Sequence, residues 1–347
     1  MKKTLAALIV SAFAASAANA AVVYDNEGTK VELNGSLRLI MEKADKKEYT
    51  AAGQSTKKAN SALRNAGSRF GITVKHNLDN DFYALGRLES RFDDTESRDQ
   101  FGSLYAKRAY VGLGSKATGD ITFGRQLTIA DDLTQANDYE YGFIPKGKYI
   151  PTSGTGVVRY DYKGIEGLQL SANYNFGQTN NEKGKPLNPG IKNAYAVGAL
   201  YTAGDLDARL AYGHTNFETG ASYAHRLDGV LASLGYKFGD FTLTGDFAYG
   251  HEKFDDEKTN KFYVAPGFAY QVLPASKVYG NYLYERVKGE NTKDKTHGFL
   301  LGADYKLHKQ VVLFVEGKYV TTKEYVNDTY DGKTKDRAIG VGMRVFF

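Results

Sequence analysis

Four carboxylates lie in a connection that is far longer than the two segments flanking it require. The connection runs from about Gln126 to Thr155, and the first cationic residue after the carboxylates is Lys146. The carboxylates are Asp131, Asp132, Asp138 and Glu140. Long ordered loops tend to carry function, and acids that face bases across a confined aqueous space create a field that orients dipolar molecules. The alternative is that these are solvated loop carboxylates without a role.

The chain offers little that could perform catalysis or hold a metal. Its six histidines are scattered, with no i, i+4 pair and no cysteine beside them; they are His76, His214, His225, His251, His297 and His308. The segment "GLGSKATG" at 112–119 resembles a phosphate loop but lacks the GK[ST] ending, so we interpret it as a β-turn. No G-x-S-x-G is present. We therefore expect no catalytic residues, no metal, no cofactor and no enzymatic activity.

The composition indicates which elements position these charges. There are 38 Gly, 26 Tyr and 19 Phe, but no Trp, no Cys and only 6 Pro, which favours many strands and tight turns. The mean hydropathy of −0.45 excludes a bundle of membrane-spanning helices. It permits a membrane barrel, because only every second residue of a barrel strand faces lipid.

Period-two alternation recurs in sixteen runs of about ten residues, which predict sixteen strands. The runs lie near 30–41, 66–77, 81–92, 104–114, 119–126, 156–163, 167–175, 193–202, 205–213, 227–237, 240–250, 261–270, 276–286, 297–306, 310–319 and 337–347. In the last run Ile339, Val341 and Met343 share one face, while Gly340 and Arg344 share the other.

The connections between the runs alternate in length. Short ones such as "TAGD" and "KFGD" alternate with long hydrophilic ones, for example from 42 to 65, from 176 to 192 and from 321 to 336. This pattern is typical of an up-and-down meander with one short-turn rim and one long-loop rim. A soluble β-sandwich would also give alternation, but sixteen long strands would leave sheet edges to be covered. A closed all-β transmembrane barrel of antiparallel strands has no such edges.

The first twenty residues have the features of a secretory signal peptide. Lys2 and Lys3 precede an apolar, Ala-rich run that ends in an A-x-A site at Ala20. We predict cleavage after Ala20, which leaves residues 21–347 as one barrel domain; the alternative is a retained N-terminal anchor. Removal of the two lysines lowers the net formal charge from +5 to +3, and a charge so close to balance argues against a nucleic-acid partner.

The chain ends in "GVGMRVFF", which places Phe347 on the apolar phase of the last run. This ending resembles the signal read by the outer-membrane barrel assembly machinery. Together with "SALRNAGSRFGITVKHNL", "YAKRAYVGLGSKATGDITFGRQ" and "HKQVVLFVEGKY", it resembles the general diffusion porins of Gram-negative bacteria, of Haemophilus and Pasteurella type. The similarity covers essentially residues 21 to 347.

The resemblance implies a homotrimer of sixteen-stranded barrels in the cell outer membrane, in contact with membrane lipid and lipopolysaccharide. It also implies that the loop after strand five folds inward and narrows the lumen. The implied function is passive diffusion of small hydrophilic solutes and ions. Two alternatives use the same barrel: a channel specific for nucleotide-like or anionic nutrients, and an enzyme with a catalytic pair near one rim.

The family carries a basic cluster on the wall opposite the loop acids. By position, "SRFGI" places Arg69 in that cluster, and Arg38 lies near the family's first-strand lysine site at Ser36. Lys107 occupies the fourth-strand site, although Arg108 would take it after a one-residue shift. These three wall residues are joined in the prediction by Arg125, which ends the "FGR" before the loop.

The sixth-strand arginine of the family falls at Ser153, so Arg159 on the same face completes the predicted wall set. By their distance from Arg125, Asp138 and Glu140 match the family's loop acids. The loop tip, "YEYGFIPKG", departs from the family's usual tip, so the resemblance does not fix which acid points into the lumen. Other lumen charges, Arg87, Glu89 and Arg91 among them, are expected to line the channel without forming its neck.

Overall fold

The computed structural model describes residues 20–219 and 224–347. The predicted signal peptide lies almost wholly outside the described residues. Nearly all of the described chain is β-strand, and its strand segments join into one antiparallel sheet. Each of the sixteen predicted runs lies on a strand of this sheet, because the alternation that defines a run is the physical requirement of a strand with two unlike faces. Several strands extend well beyond their run at one rim.

The strand segments are β1 (Ala21–Asn26), β2 (Thr29–Thr50), β3 (Ser55–Asn65), β4 (Arg69–Asn77), β5 (Phe82–Phe92), β6 (Leu104–Ser115), β7 (Gly119–Leu127), β8 (Ser153–Ile165), β9 (Leu168–Asn175), β10 (Gln178–Asn180), β11 (Pro186–Ala203), β12 (Leu206–Phe217), β13 (His225–Phe238), β14 (Phe241–Phe254), β15 (Glu257–Leu273), β16 (Ser276–Lys288), β17 (Thr292–His308), β18 (Val311–Val326) and β19 (Thr329–Phe346). Two short 3-10 helices, Ile129–Leu133 and Lys146–Lys148, lie between β7 and β8.

These segments form sixteen barrel strands. β3 and β4 both pair with β2, one after the other, and together make a single strand of the barrel. β9 and β10 likewise share β11 as their neighbour, and β1 continues the line of β19 along β2. Pairing of β9 with β11 and of β19 with β2 closes the ring, so the predicted sixteen-stranded barrel is confirmed.

The C-terminal phenylalanine takes part in this closure. The amide of Gly35 donates to the carbonyl of Phe347 at 2.8 Å, and the amide of Phe347 donates to the carbonyl of Gly35 at 3.1 Å. A Cβ on Gly35 would lie only 2.5 Å from the Phe347 ring. Glycine is therefore required where the last residue of the chain crosses the first long strand.

The two rims of the barrel differ in structure. One is formed by tight turns, as predicted, and the other by strands that extend beyond the predicted runs. On one rim the strands are joined by tight turns such as Gly204-Asp205 and Gly239-Asp240, whose glycines have φ of 58° and 61°. On the other rim the predicted loops 42–65 and 321–336 are mostly strand: β2 continues to Thr50 and β18 to Val326, and short turns follow. The prediction of long loops there was wrong, because charged residues on both faces of a strand above the membrane remove the alternation.

The two faces of the barrel wall carry opposite chemistry. Outward residues are apolar and exposed, with Met41, Val111 and Leu301 each more than 60% accessible. Inward positions hold ionic side chains such as Asp246 and Glu316. No helix in the described part of the chain is long and apolar enough to cross a membrane.

Candidate functional site

The connection between β7 and β8, residues 128–152, lies inside the barrel; we call it the inward loop. Its first 3-10 helix contacts β9, β11, β12 and β13. The rest of the loop reaches side chains on β14, β16, β17, β18 and β2. The loop is therefore packed against about half of the inner wall.

Apolar side chains hold the base of the inward loop to the wall. Ile129, Leu133, Tyr149 and Ile150 are almost fully buried. They pack on inward residues of β11 to β16: Ala196, Ala211, Leu231, Ala248, Tyr263, Ala265 and Leu283. Burying each large apolar side chain is worth roughly 1.5–3 kcal/mol, so this cluster fixes the base of the loop.

A second cluster holds the tip. Tyr139 stacks on Phe314 with ring centroids 4.7 Å apart. Tyr141 is buried and donates a hydrogen bond from its hydroxyl to Glu42 at 2.9 Å. Tyr279 joins the same cluster from β16. The tip is thus bound to the part of the wall next to the base of the loop, from β16 onward.

Two wall carboxylates accept hydrogen bonds from the loop backbone. Asp246 accepts from the amides of Gln135 at 2.9 Å and Ala136 at 3.1 Å. Glu316 accepts from the amides of Tyr139 at 2.7 Å and Glu140 at 2.8 Å. Hydrogen bonds to a charged acceptor are about twice as strong as neutral ones, so these carboxylates position the loop and are not free lumen charges.

Three of the four predicted loop acids are paired with cations. Asp131 lies 3.3 Å from Lys146. Asp132 lies 2.7 Å from Arg159, and Glu140 lies 2.5 Å from Arg64. Burial raises the pKa of Asp132 and of Glu140. The partner arginine opposes this increase in each case, and the pKa of each acid remains raised.

Asp138 is the acid that differs. The residue keeps access to the water inside the barrel, but its carboxylate lies close to Gly142 of the same loop and is partly desolvated. Desolvation by the surrounding protein, followed by repulsion from Glu316, raises the pKa of Asp138 to about 6. Its charge therefore changes within the physiological range of pH.

The opposite part of the wall carries a group of arginines, which we call the arginine arc. Its members are Arg38 of β2, Arg69 of β4, Arg87 and Arg91 of β5, Arg108 of β6 and Arg344 of β19. A single carboxylate, Glu89, lies among them, 2.7 Å from Arg91, 3.0 Å from Arg87 and 3.7 Å from Arg108. The arc therefore has a large excess of positive charge.

Barrel closure builds this arc from residues far apart in sequence. Arg344 is the cross-strand neighbour of Arg38, and Arg69 is the cross-strand neighbour of Arg91. At one end of the arc, the Arg344 guanidinium lies 4.7 Å from the ring of Tyr139 and donates to that residue's carbonyl. The arc thus begins where the tip of the inward loop ends.

The five predicted wall bases lie in three places: the arginine arc, the base of the inward loop, and the rim near Glu182. Arg38 and Arg69 belong to the arc. Arg159 lies beneath the base of the loop, between Asp132 and Asp161. Lys107 pairs with Glu182 at 2.8 Å, and Arg125 lies on the strand phase of the outward-facing Phe123 and donates to main-chain carbonyls at the rim.

Three arginines of the candidate site were not assigned to it by the sequence prediction. The sequence offers Arg108 only as a substitute for Lys107. In the structure a β-bulge in β6 leaves Lys107 without a partner residue in β5 and places Arg108 opposite Glu89. Arg344 was on the polar phase of the last run, but its role depends on the pairing of β19 with β2. Arg64 lies in β3, inside a segment predicted as loop. Among the described residues, no group of His, Asp or Glu could hold a metal ion.

Comparison with known proteins agrees with this geometry. The family model for Gram-negative porins matches residues 4–325. The chain belongs to the Gram-negative porin family. It is 33% identical over 377 aligned positions to a major outer membrane protein of Pasteurella multocida, with full coverage of both chains.

Solved structures share the fold of this porin at low sequence identity. The trimer form of OmpT from Vibrio cholerae has a TM-score of 0.68 and 18% identity, covering 92% of this chain and 100% of that one. The anion-selective porin of Comamonas acidovorans has a TM-score of 0.65 and 18% identity, with the same coverage. This porin is a passive outer-membrane channel for small hydrophilic solutes and ions, which it selects by size and charge.

Proposed function

We propose that solutes are selected in the space between the inward loop and the arginine arc. The loop fills the side of the barrel bounded by β9 to β18. Its polar contacts fall on those strands, on β2, β3 and β8, and at the tip on Arg344 of β19. Arg69 and Arg91 instead bond to Gly67 and Glu89 on their own side. The observation that carries the proposal is the docking of the loop backbone on Asp246 and Glu316.

We call the space between the inward loop and the arginine arc the neck. Its free acid is Asp138, because Asp131, Asp132 and Glu140 are each paired with a cation. A carboxylate on the loop that faces arginines on the wall creates a transverse field. Such a field favours solutes with a dipole or charge and disfavours apolar ones that cannot exchange their water. The proposed mechanism is passive and includes no catalytic step.

A second candidate function is preferential passage or binding of anionic solutes, including phosphate-bearing nutrients. The arginine arc favours it, since the arc holds six guanidinium groups and only Arg87, Arg91 and Arg108 lie within 4 Å of its carboxylate, Glu89. Among the described residues, the buried Nε atoms of Arg87, Arg108 and Arg344 have no hydrogen-bond partner. Guanidinium groups bind phosphate oxygens well.

We further propose a homotrimer, as in the OmpT trimer form. Exposed tyrosines lie on the outer face of most strands from β8 to β18, for example Tyr195, Tyr236 and Tyr305, but none is among the exposed large side chains of residues 69–127. Tyrosine marks the lipid headgroup region. The outer face of β4 to β7, which lacks exposed tyrosines, is therefore the face best suited to contact another subunit. Lipid and lipopolysaccharide would surround the remaining wall.

Two features of the chain ends belong to the same proposal. Cleavage after Ala20 would leave Ala21, the first residue of β1, at the mature N-terminus. Phe347, which pairs with Gly35, would serve as the assembly signal for the outer-membrane machinery.

The neck is tested by loosening the loop. We expect the double variant Asp246→Ala and Glu316→Ala to raise single-channel conductance and to admit larger sugars in liposome swelling, because each lost set of bonds to a charged acceptor costs about 1.5–3 kcal/mol. Asp256→Ala, at an exposed hairpin tip, is the matched control. An unchanged size limit in a correctly folded double variant would refute the proposed neck.

The anionic preference is tested separately, with reversal potentials in a KCl gradient and with phosphate added to one side. Concentration-dependent block by phosphate would support a binding site. Ohmic conductance without block would support general diffusion.

A further inference from the structure

A second segment folds toward the arginine arc from the rim at which the strands extend into long hairpins. It is the turn of the β10–β11 hairpin, residues 181–185. The turn is closed by hydrogen bonds from the amide of Asn181 to the carbonyl of Lys185 at 2.8 Å and from Gly184 to Asn181 at 3.0 Å. The Asn181 side chain also accepts from the amides of Lys183 and Lys185 at 2.9 and 3.1 Å. The turn is therefore held in one shape.

The hairpin turn extends from the barrel strand of β9 and β10 past β8 and β7 to reach β6. Glu182 forms an ion pair with Lys107 of β6 at 2.8 Å and accepts a hydrogen bond from Ser153. Its carbonyl accepts from Arg125 of β7 at 3.0 Å. A segment rooted three barrel strands away from β6 would not make these contacts unless it lay across the ends of the intervening strands.

Two lysines secure the same turn to the β5–β6 connection. Lys183 forms an ion pair with Asp94, and Lys185 donates to Thr95 and lies 3.8 Å from Asp93. Isolated surface ion pairs contribute little. Here they act together with the buried contacts of Glu182, whose side chain is only 17% exposed.

Glu182 acts on a cation at the entrance of the arginine arc. The register shift between β5 and β6 makes Lys107 the extra residue beside Arg108, which itself faces Glu89. Tyr105, on the same strand, lies under Lys183 at 5.7 Å. The hairpin turn thus covers the rim end of β6 directly above the arc.

We propose that Glu182 is a charge-selectivity residue of this porin: it neutralises Lys107 and holds the hairpin turn across the entrance to the arginine arc. Without Glu182, Lys107 would add one more free positive charge to that entrance. The inference rests on the proposed ion path beside the arc and adds a residue that lies in neither the inward loop nor the barrel wall.

The ion pair is present over the working range of pH. Burial by itself would raise the pKa of Glu182, but the hydrogen bonds and charge of Lys107 and the bond from Ser153 lower it to about 2. The effect of Glu182 on selectivity should therefore be constant from neutral pH down to mildly acidic solution.

The first test compares reversal potentials in a KCl gradient. Glu182→Gln keeps hydrogen-bonding capacity but frees the charge of Lys107, so the ratio of anion to cation permeability should rise about two- to threefold. A unit charge about 7 Å from the ion path would change the ratio about sevenfold in water without salt, because it favours anions and disfavours cations, and screening by about 0.1 M salt reduces this to about two- to threefold. Lys107→Gln should lower the ratio, and the double variant should return close to wild type. Glu290→Gln, an exposed acid in another connection, is the matched control.

The second test uses the absence of cysteine from the chain. Glu182→Cys provides a unique thiol that can be modified with an anionic or a cationic thiosulfonate. The sulfonate adduct should restore wild-type selectivity, and the ammonium adduct should move it further toward anions. Folding of each variant is verified by its heat-modifiable mobility in detergent gels.

The outcomes separate this inference from the proposed neck. If Glu182→Gln and both adducts conduct with wild-type reversal potentials while Arg69→Gln or Arg91→Gln shifts them, the role of Glu182 is refuted and the neck stands. If the arginine variants also leave the potential unchanged, both are refuted.

Discussion

Most charged side chains inside this barrel are engaged with one another. Asp132 and Arg159 form one such pair, and Glu140 and Arg64 form another. Charges that hold each other contribute little net field to a passing ion. The proposed neck therefore assigns selectivity to the charges that remain free, chiefly Asp138 and the arginine excess around Glu89.

Asp138 should make the channel sensitive to pH. Its pKa of about 6 means that the carboxylate is negative at pH 7 and mostly neutral at pH 5. Because acidification removes a negative charge from the loop, anion preference should increase as the pH falls through 6. Reversal potentials in a KCl gradient at pH 7 and pH 5 measure this shift.

The matched variant is Asp138→Asn, which is neutral at both pH values. It should show the acidic selectivity already at pH 7 and lose most of the wild-type response. Every other titratable group is the same in both proteins, so the difference between their responses isolates Asp138. An equally large response in the variant would mean that Asp138 is not the titrating group.

At the scale of elements, strands were predictable and loop docking was not. The β13 strand was expected near 227–237 and spans His225–Phe238, because alternation is a local property of sequence. The inward positions Ala196, Ala211 and Ala248 gave no comparable signal. Their small side chains matter only because Ile129 and Tyr149 pack against them, which is a contact between distant segments.

The same limit applies to the candidate site. Arg38 and Arg69 were identified by position in a familiar pattern, whereas Arg344 joins them only through the closing pair of strands. The sequence does not distinguish the roles of Lys107 and Arg108, because a single-residue bulge changes which of them faces Glu89. Bulges alter direction without altering composition, so a single sequence does not reveal them.

The contact between Gly35 and Phe347 should be sensitive to one methyl group. In Gly35→Ala the new Cβ would lie 2.5 Å from the Phe347 ring and 2.9 Å from the carbonyl of Arg69. Overpacking of this kind costs about 1–3 kcal/mol. We expect the variant barrel to unfold at a lower temperature, measured by the gel mobility of heated samples.

Gly245→Ala is the appropriate comparison. Gly245 lies opposite the exposed Leu234 on the outward phase, and a Cβ there would meet no atom within 4 Å. It should unfold at the wild-type temperature or slightly above. Equal unfolding temperatures for the two variants would show that closure at Phe347 does not depend on Gly35.

At the scale of the whole molecule, stability comes from a closed sheet between two unlike solvents. There are no cysteines to cross-link it. In lipid each unpaired backbone amide or carbonyl costs several kcal/mol, and pairing of β19 with β2 removes the last open edge. Outward side chains then need only be apolar, while inward ones are free to serve the channel.

This division predicts that the same charge has opposite consequences on the two faces. Val341 is 52% exposed on the outward phase of β19, so Val341→Arg places a cation in hydrocarbon at a cost of about 2–4 kcal/mol near the midplane. Thr242→Arg adds the same charge on the inward phase of β14, shared with Asp246, where water solvates it. Refolding yield into detergent and unfolding in urea should fall for Val341→Arg alone, while Thr242→Arg should shift only the reversal potential. Equal destabilisation of the two variants would mean that the outer face does not contact lipid, and the assignment of the two faces would have to be abandoned.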